Sequence, residues 1–323
     1  MQSVNTVIRS NSLRWLGAAL AAATVLWACG GGGSSPDSTT PPQLQPNAAT
    51  SWELMTAGDI ADCRLQPSGD SDAFKTGQLV KRQLADAGDN SNVLTLGDNA
   101  YLLGLSIGYE ECYQKTWGDF LPKTFVIPGN HDYESNGENN YFRYFGAKAN
   151  PDGKQTGYYR IDQNGWTVFA LSSVVDATAA SAQAAWLKAQ LAAGTQSCIA
   201  AAWHHPMFSS AEQGGDKKMI ALWDILQVAK ADVVLQAHQH HYERFAPTRS
   251  DGSLSADGLR SFVVGSGGAK KFGFATVSTG SERQVEAYGI MRLSLSKGNA
   301  KWKFIDVDNI VHDQGSFDCR PKP

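Results

Sequence analysis

Val93-Leu94-Thr95-Leu96-Gly97-Asp98-Asn99-Ala100-Tyr101 runs from an apolar stretch straight into a glycine, a carboxylate, an amide and a phenol. The pattern recurs along the chain. Glu53-Leu54-Met55-Thr56-Ala57 leads into Gly58-Asp59-Ile60-Ala61, and Phe125-Val126-Ile127 leads through Pro128 into Gly129-Asn130-His131-Asp132. Ile199 to Ala202 ends at Trp203-His204-His205-Pro206, and Asp232-Val233-Val234-Leu235 precedes Ala237-His238-Gln239-His240. Apolar runs this short read as strands. The polar residues behind them then fall at strand C-terminal ends, where α/β proteins build their sites. All but one of the histidines lie in or beside the last three clusters. Carboxylate, imidazole, amide and phenol together make a ligand set for metal, with enough members for two ions.

Between these runs the pattern is helical. Residues 72–87 place Phe74, Leu79 and Leu84 at helical spacing before Gly88 stops them, an alanine-rich helix is expected over 179–193, and another over 217–230. Residues 166–171 form a further strand. Strand-helix-strand order of this kind gives neighbouring parallel strands with their C-terminal ends on one edge. The tail changes character: 262–264, 290–295 and 302–305 read as short strands separated by Gly, Lys and Asn turns.

Length and charge narrow the classes. Lys and Arg total 28 against 31 Asp and Glu, a net charge of −3, which gives no sign of an electrostatic nucleic-acid binder. Arg9 and Arg14 precede an apolar stretch from Leu16 to Trp27, too short for the roughly 20 residues a membrane span needs and laid out as a secretory signal. Leu26-Trp27-Ala28-Cys29 resembles the lipobox of bacterial lipoproteins, with Trp27 bulkier than usual and Cys29 as the lipidated residue. Residues 1–29 are thus expected to be a lipoprotein signal and 30–50, rich in Gly, Ser, Pro and Thr, a flexible tether. Residues 51–323 remain for one folded domain. Setting Cys29 aside leaves Cys63, Cys112, Cys198 and Cys319, an even number that in an exported chain suggests two disulfides with three pairings open. Cys63 and Cys112 each lie a few residues beyond a polar cluster and are paired on that ground, leaving Cys198 with Cys319.

If His238 and His240 continue their strand, both side chains fall on one side and Gln239 on the other. The same alternation turns His205 and His241 away, as supporting or surface groups. The candidate ligands are then Asp59, Asp98, Tyr101, Asn130, His204, His238 and His240.

These ordered motifs resemble the calcineurin-like metallophosphoesterases and, within them, the purple acid phosphatases, whose pattern is DxG, GDxxY, GNH(D/E), VxxH and GHxH. Tyr158-Tyr159-Arg160, Ser172-Ser173, Tyr242-Glu243-Arg244 and Gly265-Ser266-Gly267-Gly268 extend the likeness to everything after the tether. Ala61 and Ala237 replace glycines of the pattern and Ala201 a valine. Ser209-Ser210-Ala211-Glu212-Gln213 resembles a mammalian-type loop, with Gln213 where that loop has a substrate-facing histidine.

The resemblance implies an α/β fold, a four-layer α/β/β/α sandwich with the metal site at the C-terminal ends of the strands. It implies that Asp59, Tyr101 and His240 hold one ion and Asn130, His204 and His238 the other, with Asp98 bridging. The first set has hard anionic donors suited to Fe(III), and the second suits a divalent Zn, Fe or Mn. The wider superfamily has a histidine where Ala61 stands and no tyrosine, which favours Tyr101 as a phenolate ligand. His131 is implied as a catalytic donor to the substrate or leaving group, with Asp132 either orienting it or capping the loop at the surface. The expected protein is a phosphomonoesterase lipid-anchored in a bacterial cell envelope, meeting the membrane only through its anchor. A phosphodiesterase acting on nucleotides or phospholipid head groups is the close alternative, and a non-catalytic surface lipoprotein is disfavoured because every ligand is present. Substrate choice is expected in the loops 135–140 and 209–218.

Overall fold

A strand that is apolar on both faces must be covered on both sides, and the strands that end in the polar clusters are. A computed structural model describes residues 51–101, 103–134 and 139–323. The expected leader with Cys29, the expected tether of residues 30–50 and most of the 135–140 loop lie outside the described residues. β1 (Trp52–Ala57), β2 (Ser91–Thr95) and β3 (Thr124–Phe125) pair in parallel. They are followed by β4 (Tyr159–Gln163), β5 (Trp166–Ala170), β6 (Cys198–Ala202), β7 (Val233–Gln236), β8 (Tyr242–Thr248) and β9 (Leu259–Val264). The last strands are β10 (Ser281–Val285), β11 (Gly289–Ser296), β12 (Asn299–Asp306) and β13 (Val311–Asp318). Among the described residues they make two sheets, ordered β13-β12-β11-β1-β2-β3 and β10-β8-β9-β7-β6-β5-β4.

The two sheets share one core. The Tyr242 ring stacks 4.2 Å from Phe304, and Phe262 meets Trp302 edge-on at 5.4 Å, each pair joining one sheet to the other. Alternation along the second sheet sends Val168, Ala200, Ala202, Val233 and Leu235 into this core. Phe169, Ala201 and Val234 point the other way, onto an outer cluster. The helices complete the layers. α1 (Asp72–Ala87) buries Leu79, Val80 and Leu84 against the first sheet. Its start is set by Ser71, whose Oγ accepts the Phe74 amide at 3.1 Å, and its end by Gly88. A π turn, Gly108–Tyr113, runs into the short α2 (Gln114–Thr116), and α3 (Asn140–Phe145) follows. α4 (Ala182–Ala192) and α5 (Ile220–Val228) cover the second sheet with Leu187, Leu222, Trp223 and Leu226. The architecture is the α/β/β/α sandwich. Cys63 joins Cys112 and Cys198 joins Cys319.

Three elements differ from the sequence reading. The helix expected from residue 217 starts as a 3₁₀ turn, Lys217–Met219, before α5. The short helical pieces between 108 and 145 bury aromatic rings such as Tyr109, Tyr113, Tyr141 and Phe145, a pattern too brief to show helical periodicity. β13 is an edge strand of polar, alternately exposed residues, formed because β12 offers it a free edge.

Glu53 ties α1 to the middle of the first sheet. Its carboxylate accepts from Arg292 Nε at 2.7 Å and Ser294 Oγ at 2.8 Å, while Arg292 Nη1 reaches Asp86 of α1 at 2.6 Å. Burial raises the Glu53 pKa, but the bonds from Ser51, Arg292 and Ser294 outweigh it and hold the group below its usual value. A carboxylate depressed in this way contributes stability above its unfolded pKa, near 4.3, and loses it as pH falls through the lower folded value. Glu53→Gln is therefore expected to lower the melting temperature at pH 7, with the gap to wild type closing as pH drops below about 4. Thermal melts over a pH series check this.

Candidate metal centre

The backbone at the ends of β1 and β2 is wound against its preference. Asp59 has φ 57° and Asp98 φ 49°, both left-handed, and His238 beyond β7 has φ 68°. Each such residue costs about 1–3 kcal/mol and persists where the surroundings over-determine it. Here a ladder does so: Asp59 N donates to Gly97 O at 3.0 Å, Ile60 N to Asp98 O at 2.9 Å, and Tyr101 N to Ala61 O at 3.0 Å. The two carboxylates emerge side by side, both buried. Gly129 leaves room for them, since a Cβ there would stand 2.1 Å from Asp98 Oδ1. Ala237, which replaces a glycine of the pattern, is accommodated by Gly58: a Cβ at Gly58 would lie 2.5 Å from that of Ala237.

All seven candidate ligands come to this edge. Tyr101 Oη lies 3.0 Å from Asp59 Oδ1, 3.1 Å from His240 Nε2 and 3.2 Å from Asp98 Oδ2. His240 Nε2 is 3.3 Å from Asp59 Oδ1. On the other side, Asp98 Oδ2 is 3.2 Å from His204 Nε2, which is 3.2 Å from His238 Nδ1. Asn130 Oδ1 is buried and has no hydrogen-bond partner. One Asp98 oxygen thus touches both groups.

Backbone carbonyls set the imidazole tautomers. His204 Nδ1 lies 2.8 Å from Leu96 O and His240 Nδ1 2.5 Å from Lys270 O. A carbonyl can only accept, so each Nδ1 carries a proton, and each Nε2, once deprotonated, presents its lone pair inward, the arrangement that orients metal-binding histidines. His238 and His240 do not continue β7, which ends at Gln236. The strand alternation expected for them is broken by the left-handed His238. They converge through a loop, with His238 N donating to Asp59 Oδ2 at 2.7 Å.

Charge at the centre is strongly coupled. Burial opposes ionisation of Asp98, but His204 and His131 pull its pKa far below the usual range. Burial likewise disfavours charge on His204, yet Asp98 and Asp59 push it up to about 9. Burial and neighbouring His204 bring His238 down to about 4. Tyr101 is driven well above 10 by burial, Asp59 and Asp98.

The donor set fits two cations. Neighbouring donors about 3 Å apart are what atoms about 2.1 Å from a shared ion subtend, and the unpartnered Asn130 oxygen supplies a further neutral donor. A cation reverses the local pKa logic and stabilises phenolate and neutral imidazole.

Other residues stand where the sequence did not place them. Asp132 is neither exposed nor turned to His131. It is buried, accepting from Tyr109 Oη at 2.6 Å, Gly129 N at 2.8 Å and Asn99 Nδ2 at 2.9 Å, and burial with Asp98 nearby raises its pKa to about 6. It braces the two ligand loops against each other. Glu134 takes the orienting place, 2.8 Å from His131 Nδ1. The 3₁₀ turn His131–Tyr133 sets i and i+3 in line, so the His-x-x-Glu spacing was a legible signal. His205 is buried against the His238 ring at 4.3 Å, with Nδ1 2.8 Å from Ser173 Oγ. His241 is buried over Phe274, 3.3 Å from Glu243. Of the two places expected for them, supporting or surface, both take the supporting one, because the loops that follow β5 and β9 close over them.

The calcineurin-like phosphoesterase family pattern matches residues 57–242, and the chain belongs to that family. It is 30% identical over 171 residues to purple acid phosphatase 21 of Arabidopsis thaliana, covering 46% of this chain and 39% of the plant protein. With human tartrate-resistant acid phosphatase type 5 it shares 23% over 231 residues, 62% of this chain and 71% of that one. A purple acid phosphatase from yellow lupin seeds has the same fold, with TM-score 0.67, 18% identity, and coverage of 84% of this chain and 55% of the lupin chain. The chain spans about two-fifths of the Arabidopsis relative's length. This kinship implies a dinuclear metal centre, which the donor set suits.

Two outcomes follow from the shared carboxylate and the protonated donors. Asp98→Asn is expected to lower the content of both metals, measured by elemental analysis, whereas loss of one ion alone would assign Asp98 to a single site. Because His204 must give up a proton to bind a cation, metal affinity should rise with pH up to about 9, as equilibrium dialysis against a competing chelator would show.

Proposed function

We propose that the protein hydrolyses phosphate monoesters at a centre in which Asp59, Tyr101 and His240 hold Fe(III), Asn130, His204 and His238 hold a divalent Zn, Fe or Mn ion, and Asp98 serves both. The observation that carries the reading is the Asp98 oxygen 3.2 Å from both Tyr101 Oη and His204 Nε2. Carboxylate and phenolate on one side and neutral imidazole and amide on the other support the trivalent and divalent assignments. Bound there, the two ions supply Lewis acidity toward a phosphoryl oxygen and acidify water.

His131 supplies what the ligands cannot. It is half-buried at the rim, its ring 4.6 Å from that of Tyr101 and its Nε2 3.9 Å from Asp98. With Nδ1 held by Glu134, Nε2 is left to face the centre. A proton delivered from Nε2 to the ester oxygen lets a poor alkoxide leave. The two disulfides suit an oxidising compartment and support export, and the lipobox-like Leu26-Trp27-Ala28-Cys29 supports anchoring in a bacterial envelope.

His131→Ala should keep its metals and lose roughly 10²–10⁴-fold in rate on alkyl phosphates, and less on nitrophenyl phosphate, whose leaving group needs no proton. Equal losses would mean that His131 orients the phosphate instead. Iron-loaded protein is expected to be violet to pink from a phenolate-to-iron band, absent in Tyr101→Phe. An active, colourless wild type would sink the ferric assignment. Cys29→Ser should release the protein from membranes or leave it unprocessed.

A further inference from the structure

Asn130 opens onto a cleft of about 440 Å³ lined also by Tyr133, Ser173, Val174, Val175 and His205. Since Asn130 borders the phosphoryl site in the function proposed above, on which this inference rests, an ester bound there has this cleft available to its leaving group. Val174, Val175 and the Tyr133 ring offer apolar contact to a short carbon chain. Lys218 completes the lining and is its cation.

The charges around Lys218 leave it free to change partner. Glu134, also at the cleft, is engaged by His131 at 2.8 Å. Asp216 meets Lys218 Nζ at 3.1 Å, with the two side chains 39% and 38% exposed. A pair that exposed contributes about 0–1 kcal/mol, so an anion held in the cleft can displace Asp216. Gln213, in the place of the histidine of the mammalian-type loop, lies in a separate cleft with Gly214, His238 and Gln239. The far end of the same loop, at Lys218, lines the cleft that Asn130 borders.

We propose that Lys218 is a specificity residue, selecting phosphate esters whose leaving group carries a second anion, a carboxylate or a phosphate, a few carbons from the ester oxygen. The shared chemistry is an anion at the end of a short apolar spacer.

Phosphonates that cannot be hydrolysed test this without turnover. Calorimetry on the metal-replete full chain compares propylphosphonate, 3-phosphonopropionate and propane-1,3-bisphosphonate. Wild type is expected to bind at least one of the two dianionic-ended ligands about fivefold tighter than propylphosphonate, the scale of one exposed ion pair. A gain confined to the bisphosphonate identifies the second anion as phosphate, and one confined to 3-phosphonopropionate identifies it as carboxylate. Lys218→Ala should level the affinities while Lys218→Arg preserves the difference. Equal binding of all three by wild type, or an equal loss on all three in Lys218→Ala, overturns the proposal. Anion selectivity in a protein that does not hydrolyse glycerol 2-phosphate would refute the monoesterase reading and leave Lys218 in its place. Hydrolysis without selectivity would do the reverse.

Discussion

The carboxylate of Asp98 is buried, and burying a charge costs several kcal/mol unless partners surround it. Its oxygens meet Tyr101, His204 and the amide of His131, so three segments distant in sequence are fixed by one group. To reach that position Asp98 takes a left-handed backbone, and the neighbouring Asp59 does the same beside it. The strain is held by hydrogen bonds that continue the β1–β2 pairing past the ends of both strands. Disturbing Asp98 therefore disturbs the site and the strand ends together.

The frame around it owes its rigidity to burial from two sides. Parallel strands alternate their side chains between the shared core and an outer helical layer, and neither face is left to water. The C-terminal edges of β1, β2, β6 and β7 are thereby brought to one rim. Asp132, below that rim, binds the amides of Asn99 and Gly129 and locks the second ligand loop to the third. Glu134 and Asp132 are two residues apart yet serve different ends, one holding an imidazole at the rim and the other bracing backbone in the interior.

Much of this was legible in order. Apolar runs ending in Asp or His marked β1, β2, β6 and β7. Residue type, with the alternation that set His205 and His241 aside, singled out the seven candidate ligands, because hard and borderline donors are rarely clustered without a metal to bind. Ser71 and Gly88 bounded α1 as caps do. Less was readable where packing decides. β13 has no alternating apolar face, and the helical pieces around Tyr109 and Tyr141 are too short to carry a period. Their conformation follows from aromatic rings packing together, a long-range outcome.

Residue chemistry along the chain thus determined which groups could serve the site and on which strand ends they sit. The tertiary structure decided how they meet. His238 and His240 converge through a left-handed turn that strand alternation does not describe, and the tautomers of His204 and His240 are set by the carbonyls of Leu96 and Lys270. Any residue can supply a carbonyl, so composition holds no signal for it. Only the folded backbone fixes where that oxygen stands and which nitrogen it leaves free.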